Sequence, residues 1–191
     1  MRAFILMCSA VLSMAGCAGS PKSTFYTLSA VGPVPSAPAA SPVPIAIETV
    51  TVPELVDRPQ MVVRVDATRV EIDEFSRWAE PLKSQIPAVI AEDLTRLVPG
   101  ARVSVYPQRA DDGAVYRVSV DVQNFESAPG TMAGIAVLWS VRPPKGTAVS
   151  GRTVVHEPVA GGGYDALVDA HSRALGAVSA DIARSIQQAR P

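Results

Sequence analysis

An apolar run over residues 3–14, followed by a cysteine at position 17, decides how much of this chain is available to fold. Met1-Arg2 gives the run a positive start, Ser9 and Ser13 are its polar interruptions, and Ala15, Gly16, Ala18 and Gly19 surround the cysteine. A charged start, an apolar stretch of about a dozen residues and a small-residue exit make a secretory signal. The stretch is shorter than the roughly 20 apolar residues that a helix needs to cross a bilayer. Residues 1–16 are therefore expected to be a signal peptide and to contribute nothing to the fold.

Met14-Ala15-Gly16-Cys17 resembles the bacterial lipobox. The resemblance implies that the Cys17 thiol takes a diacylglycerol, that cleavage exposes its amine and that the amine is acylated in turn. A thiol suits this chemistry because its thiolate is a potent nucleophile. Ordinary cleavage nearby, leaving a free thiol, is the alternative. Of the 2 cysteines, Cys8 leaves with the signal and Cys17 carries lipid. The mature chain then has no thiol for a disulfide, a thiolate metal site or a nucleophile. An exported domain without disulfides must be held by its core, and about 150 residues suffice for one. Two or more acyl chains anchor stably where one is marginal. Ala18, in place of Asp, follows the cysteine; by resemblance to the enterobacterial sorting rule this implies the outer membrane. With a net charge of −1 and no basic block, nucleic acid is excluded as an expected partner.

Residues 31–44, VGPVPSAPAASPVP, carry five prolines and no periodicity. They read as a polyproline-type linker, about 3.1 Å per residue, with a reach of roughly 40 Å from the lipid surface. The more apolar Phe25-Tyr26-Thr27-Leu28 before it is expected to pair with the domain as a strand or dock on it. Strand alternation begins at Ile45, and Pro53 stops it. Asp57-Arg58-Pro59 is a turn signature. Residues 60–65 and 69–74 read as a strand pair around Asp66-Ala67-Thr68. A helix follows, with Pro81 in its first turn and an apolar stripe of Leu82, Ile86, Val89, Ile90, Leu94 and Leu97. Pro87 is expected to kink or delay it, so that the regular part begins there. Strands are expected over 102–106, 115–123, 132–141 and 148–156, with turns at Ala128-Pro129-Gly130 and Pro143-Pro144-Lys145-Gly146. A long helix over 164–188 presents Tyr164, Val168, His171, Leu175, Val178, Ile182 and Ile186 to a core.

The expected fold is α+β (mixed α/β): a two-layer domain with a partly antiparallel sheet covered by two main helices. The expected division is a signal peptide over 1–16, a lipidated cysteine and proline-rich linker over 17–44, and one folded domain over 45–191.

Several segments together resemble a known family. They are Phe25-Tyr26-Thr27-Leu28; residues 52–64, VPELVDRPQMVVR; Arg77-Trp78-Ala79-Glu80-Pro81-Leu82; Val120-Asp121-Val122-Gln123-Asn124-Phe125-Glu126; Trp139 in a strand; and Ala170-His171-Ser172-Arg173-Ala174-Leu175. In this order behind a lipobox they are similar to the ABC-type transport auxiliary lipoproteins of the paraquat-inducible protein C type. The resemblance covers nearly all of the mature chain. It implies an outer-membrane lipoprotein facing the periplasm. The implied partner is a tunnel protein built from MCE (mammalian cell entry) domains, with its inner-membrane transporter, in lipid transport that supports envelope integrity. It also implies a possible homo-oligomeric ring. A lipid-binding periplasmic carrier module is the alternative function.

Single residues keep two readings each. Arg58 is either a turn residue paired locally or a contact to a partner or a second subunit, and Arg77 beside Trp78 divides similarly. Trp78 is expected to anchor a helix to the core or to join such a contact, and Trp139 is a further contact candidate. The apolar segment 132–138 is either a buried central strand or a surface covered by lipid or a subunit. His171 reads as a satisfied core residue. Gly161-Gly162-Gly163 lacks the Lys-Ser/Thr of a phosphate loop and reads as a flexible connection. His156 and His171 form no metal cluster, and no nucleophile–base order or cofactor motif stands out. The chain therefore reads as non-enzymatic, without metal or cofactor.

Overall fold

The computed structural model describes residues 21–32, 41–105 and 115–190. The expected signal peptide and Cys17 lie outside the described residues. Eight strands and two long helices follow in the order β1 (Thr24–Tyr26), β2 (Val43–Thr51), β3 (Gln60–Arg64), β4 (Val70–Trp78), α1 (Leu82–Leu97), β5 (Ala101–Ser104), β6 (Tyr116–Ala128), β7 (Met132–Arg142), β8 (Val149–Pro158) and α2 (Gly163–Gln188). A short 3-10 turn, Glu54–Val56, precedes β3. The mixed α+β class and the two helices are as expected, but the strands form two sheets where one was read.

The larger sheet has the order β5-β2-β6-β7-β8. β2 runs parallel to both β5 and β6, while β6-β7-β8 is an antiparallel meander. Alternation builds it: Val118, Val120 and Val122 of β6 are buried on one face, with Ser119 and Asp121 on the other. The β6–β7 hairpin closes on Ala128-Pro129-Gly130-Thr131, where the Thr131 N–H donates to the Ala128 carbonyl (3.0 Å) and Gly130 has φ 69°. Such a turn needs a positive-φ residue at its third position and favours proline before it. β7 is a buried interior strand between β6 and β8: Ala133 to Val137 are all buried, although Leu138 is exposed.

α1 and α2 pack side by side on one face of this sheet. Leu82, Ile86, Ile90 and Leu94 of α1 and Leu175, Val178, Ile182 and Ile186 of α2 are fully buried with Ile45, Ile47 and Ile135 of the sheet. α1 begins at Leu82 and runs through Pro87 without a break. An interior proline costs about 3 kcal/mol. Burying the flanking Ile86, Val89 and Ile90 offsets this, at roughly 1.5–3 kcal/mol per side chain. The expected delay of the helix is corrected accordingly.

The second sheet, β1-β4-β3, lies against β6 and the start of α2. β3 and β4 are antiparallel, and β1 adds to β4 in parallel with Phe25 beside Arg77. Beyond β1 the chain continues extended along the helix pair, where side chains satisfy its backbone. The Leu28 N–H donates to Gln85 Oε1 (2.8 Å) and the Ser29 N–H to Ser172 Oγ (3.1 Å). The Val31 and Gly32 N–H groups donate to Asp93 Oδ1 (3.2 and 3.4 Å). Arg96 donates to the Ala30 and Gly32 carbonyls (3.1 and 2.9 Å). Gly176 makes room on α2, since a Cβ there would stand 2.6 Å from Val31 Cγ2.

This moves the expected domain boundary. Residues 24–32 belong to the folded body, and β2 begins at Val43. The proline-rich stretch therefore joins two parts of the body, so the reach of roughly 40 Å expected of it is not available as a spacer from the lipid.

Asp93 is fully buried, and burial raises its carboxyl above the usual range against the pull of the Ser179 hydroxyl, the Gly32 and Val31 N–H groups and Arg96. Replacing it leaves buried donors unpaired, at about 1–3 kcal/mol. Asp93→Ala is expected to destabilise the protein by about 3 kcal/mol. Hydrogen exchange should show the Val31 and Gly32 amides losing protection before those of Val118 and Val120.

Candidate functional site

Three backbone segments converge at one end of the smaller sheet. After the 3-10 turn, the Asp57 N–H donates to the Pro53 and Glu54 carbonyls (both 3.2 Å) and the Arg58 N–H to the Val56 carbonyl (2.9 Å). The Pro59 carbonyl then accepts from the Trp78 N–H (2.7 Å), and the Tyr26 carbonyl from the Ala79 N–H (2.9 Å). An Asp57–Lys83 ion pair fastens the turn to the first turn of α1. Between these segments lies a cleft of about 320 Å³, lined by Phe25, Asp57, Arg58, Pro59, Arg77 and Trp78, and closed by Ala79, Glu80 and Pro81.

The two arginines of the cleft differ. Arg77 Nε donates to the Glu74 carbonyl (2.9 Å), and Arg77 Nη2 lies 3.4 Å from Glu74 Oε2. Arg58 pairs with no carboxylate among the described residues, and its Nε is buried without an acceptor. A charged donor left in this state favours an incoming acceptor, because its desolvation is already incurred.

The floor of the cleft is rigid. Trp78 is 5% exposed and meets Phe125 edge-on (5.9 Å between ring centroids, 78°). Phe125 stacks on His171 (4.0 Å, 4°). His171 Nε2 shares a hydrogen bond with Ser127 Oγ (2.8 Å), while Nδ1 is buried without a partner. His171 is thus a core residue as expected, but only half satisfied. Burial pushes its pKa down to about 3, so the ring is neutral.

β4 reaches this site through a bulge. Met61 pairs with Asp73 and the preceding Gln60 with Arg77, which leaves Glu74, Phe75 and Ser76 looped out. Asp73 Oδ1 holds the loop by accepting the Phe75 and Ser76 N–H groups (both 2.8 Å). Its Oδ2 accepts the Tyr164 hydroxyl (2.7 Å), and the Tyr164 ring packs on Tyr26 (5.8 Å). The Tyr164 hydrogen bond, followed by those of Ser76 and Phe75, outweighs burial and lowers the Asp73 carboxyl below its usual range. Burial, and then the Asp73 carboxylate, raise the Tyr164 hydroxyl.

The structure brings Arg58, Arg77 and Trp78 together and leaves Trp139 apart. The Trp139 indole lies across Gly151 of β8, where a Cβ would come within 2.2 Å of the ring. Its Nε1 donates to Thr153 Oγ1 (2.9 Å), which donates to Asp181 Oδ2 (2.6 Å) on α2. Cys17, the expected lipid attachment site, lies outside the described residues. Phe25, 62% exposed on the rim, was not among the predicted site residues; its signal is an aromatic beside Tyr26 in a two-period strand. Among the described residues no group of three or more His, Cys, Asp or Glu side chains could hold a metal ion.

The family model described as the ABC-type transport auxiliary lipoprotein component matches residues 26–183. The chain belongs to that family. The match begins in β1, ahead of the proline-rich stretch, as does the folded body. The fold recurs in solved structures. A crystal structure titled as an uncharacterized protein superposes with a TM-score of 0.69 at 22% identity, covering 87% of this chain and 99% of that one. A Xanthomonas campestris protein of family DUF330 does so with a TM-score of 0.62 at 18% identity, covering 86% and 98%. No individual curated protein matches. Among the described residues of this auxiliary lipoprotein no helix is long and apolar enough to cross a membrane.

The neutral His171 gives a pH prediction with a definite sign. Its ordinary pKa is 6.5 and its folded value about 3, so below 6.5 the unfolded chain takes a proton that the folded chain refuses. Stability is whole above pH 6.5 and falls as the pH drops towards 3. Chemical denaturation at about pH 7.5 and about pH 5.5 should differ by about 1.4 kcal/mol from this group. In His171→Gln that difference should shrink, whatever the loss at neutral pH.

Proposed function

We propose that this auxiliary lipoprotein is a non-enzymatic, outer-membrane component of an MCE-linked lipid transport system. It faces the periplasm and docks to a tunnel protein of MCE domains that is served by an inner-membrane transporter. Lipid on Cys17 holds it at the membrane. The observation that carries this reading is the family match over a body whose first strand begins seven residues after Cys17. Anchor and docking domain are thereby kept close together. Contacts to the tunnel protein, or to other copies in a ring, are proposed on the helix-free face of the larger sheet. There Thr49, Thr51, Ser119, Asp121 and Ser140 surround the exposed Leu138, a polar surface suited to a reversible interface. Trp139 contributes by stiffening that strand pair from the helix side.

The alternative, a carrier that itself holds lipid, draws on a cleft of about 630 Å³ between Pro42, Val43, Tyr116, Pro144 and Ala189. Native mass spectrometry of the purified protein would reveal bound lipid and favour it.

Two measurements test the main reading. Pull-down from envelope extracts in mild detergent should recover an MCE-domain protein together with transporter subunits, and repeated recovery of neither would refute it. Cys17→Ser should move the protein from the membrane to the soluble periplasmic fraction, since that one residue carries all the acyl chains. Retention of that variant in the outer membrane would show that Cys17 is not the anchor.

A further inference from the structure

We infer that the Arg58 cleft seats the phosphate of an anionic phospholipid headgroup in the bilayer that holds Cys17; this rests on the anchoring reading above. Thr24 follows Cys17 by seven residues, which span at most about 25 Å when fully extended. Since Phe25 lines the cleft, the cleft cannot lie further than about one tether length from the anchored lipid. It is the only one of the clefts described above that includes a residue of β1.

The chemistry of the cleft matches its position. Phe25, 62% exposed at the rim, suits the boundary between headgroups and acyl chains. Behind it stand Arg58, without a carboxylate partner among the described residues and with Nε buried and unpaired, and Arg77. Guanidinium forks match phosphate oxygens in geometry and charge. The volume, about 320 Å³, is at the small end of ligand sites and fits a headgroup better than acyl chains. Three carboxylates oppose an anion, and Glu74 already pairs with Arg77 (3.4 Å). Asp57 is already paired with Lys83, while Glu80 lines the cleft without an ion pair among the described residues. Glu80 therefore weakens the site for an anion.

The test uses the mature lipidated protein carrying Trp139→Phe, which leaves Trp78 as its one tryptophan. It is reconstituted in vesicles of phosphatidylcholine with increasing phosphatidylglycerol, doped with a headgroup-nitroxide lipid that quenches Trp78. Quenching should rise with the phosphatidylglycerol fraction. The fraction giving half-maximal quenching should increase about five-fold in Arg58→Gln and decrease in Glu80→Gln, a gain that misfolding cannot produce. Equal quenching in phosphatidylcholine alone, or unshifted midpoints in both variants, overturns the inference. So does abolition of quenching by soluble glycerol phosphate, which would make the ligand a free phosphate. A photo-crosslinker at position 25 that captures a polypeptide in envelopes in place of lipid also overturns it. Wild-type protein that fails to sediment with the vesicles would sink the anchoring reading and this inference together, whereas protein that sediments but shows no Arg58 dependence sinks the inference alone.

Discussion

An extended backbone laid between two helices has no neighbouring strand to bond with, and in residues 28–32 that deficit is met by side chains. Buried backbone donors and acceptors must be paired somewhere. Here Gln85, Asp93, Arg96 and Ser172 supply the partners, one per turn or two of helix. Much else depends on this arrangement. It covers the groove between α1 and α2, ties both helices to one segment and holds β1 in place beside β4. Through β1 it also positions Phe25 against the Arg58 turn. Asp93 is central because its second oxygen accepts the Ser179 hydroxyl (3.1 Å), which joins the two helices beneath the segment.

What was legible in the sequence was local. Two-period alternation marked β2, β5 and β6, a continuous apolar run marked β7, and the three- and four-residue spacing of α2 gave its buried face almost residue by residue. The hairpin at Pro129-Gly130 followed from turn chemistry alone. The parts that stayed hidden are those set by pairing over long separations. The parallel contact of β1 with β4 joins segments some 50 residues apart and leaves no period to read. The bulge at Glu74, Phe75 and Ser76, which Asp73 stabilises, lies within the β3–β4 pairing and looks in sequence like the end of a strand. Asp93 sits inside the apolar stripe of α1, and no local signal marks its partners Val31, Gly32 and Ser179. Pro87 shows the opposite failure, a strong local signal overridden by burial of its neighbours.

The candidate site divides in the same way. Arg58, Arg77 and Trp78 were picked out by family resemblance, and the backbone bonds from Pro59 to Trp78 and from Tyr26 to Ala79 explain why residues so spaced meet. Trp139 was picked out on the same grounds but is engaged across Gly151 on the far side of β6. Beneath the cleft, the sequence Trp78, Phe125, His171, Ser127 runs unbroken from surface to core. The neutral imidazole is the least satisfied member of that stack. The backbone that presents the arginines is held by the bonds to Pro59 and Tyr26 above this packed floor.

The position of β1 has a mechanical consequence. Any load between an anchored Cys17 and a partner bound elsewhere on the body enters through Thr24, Phe25 and Tyr26. It passes first into the short parallel ladder with β4 and then into the bonds to Gln85, Ser172 and Asp93. The three-stranded sheet and the helix groove thus lie between that load and the five-stranded sheet. Under such a load the pairing beside the anchor is only three residues long, against the far longer ladders of the larger sheet.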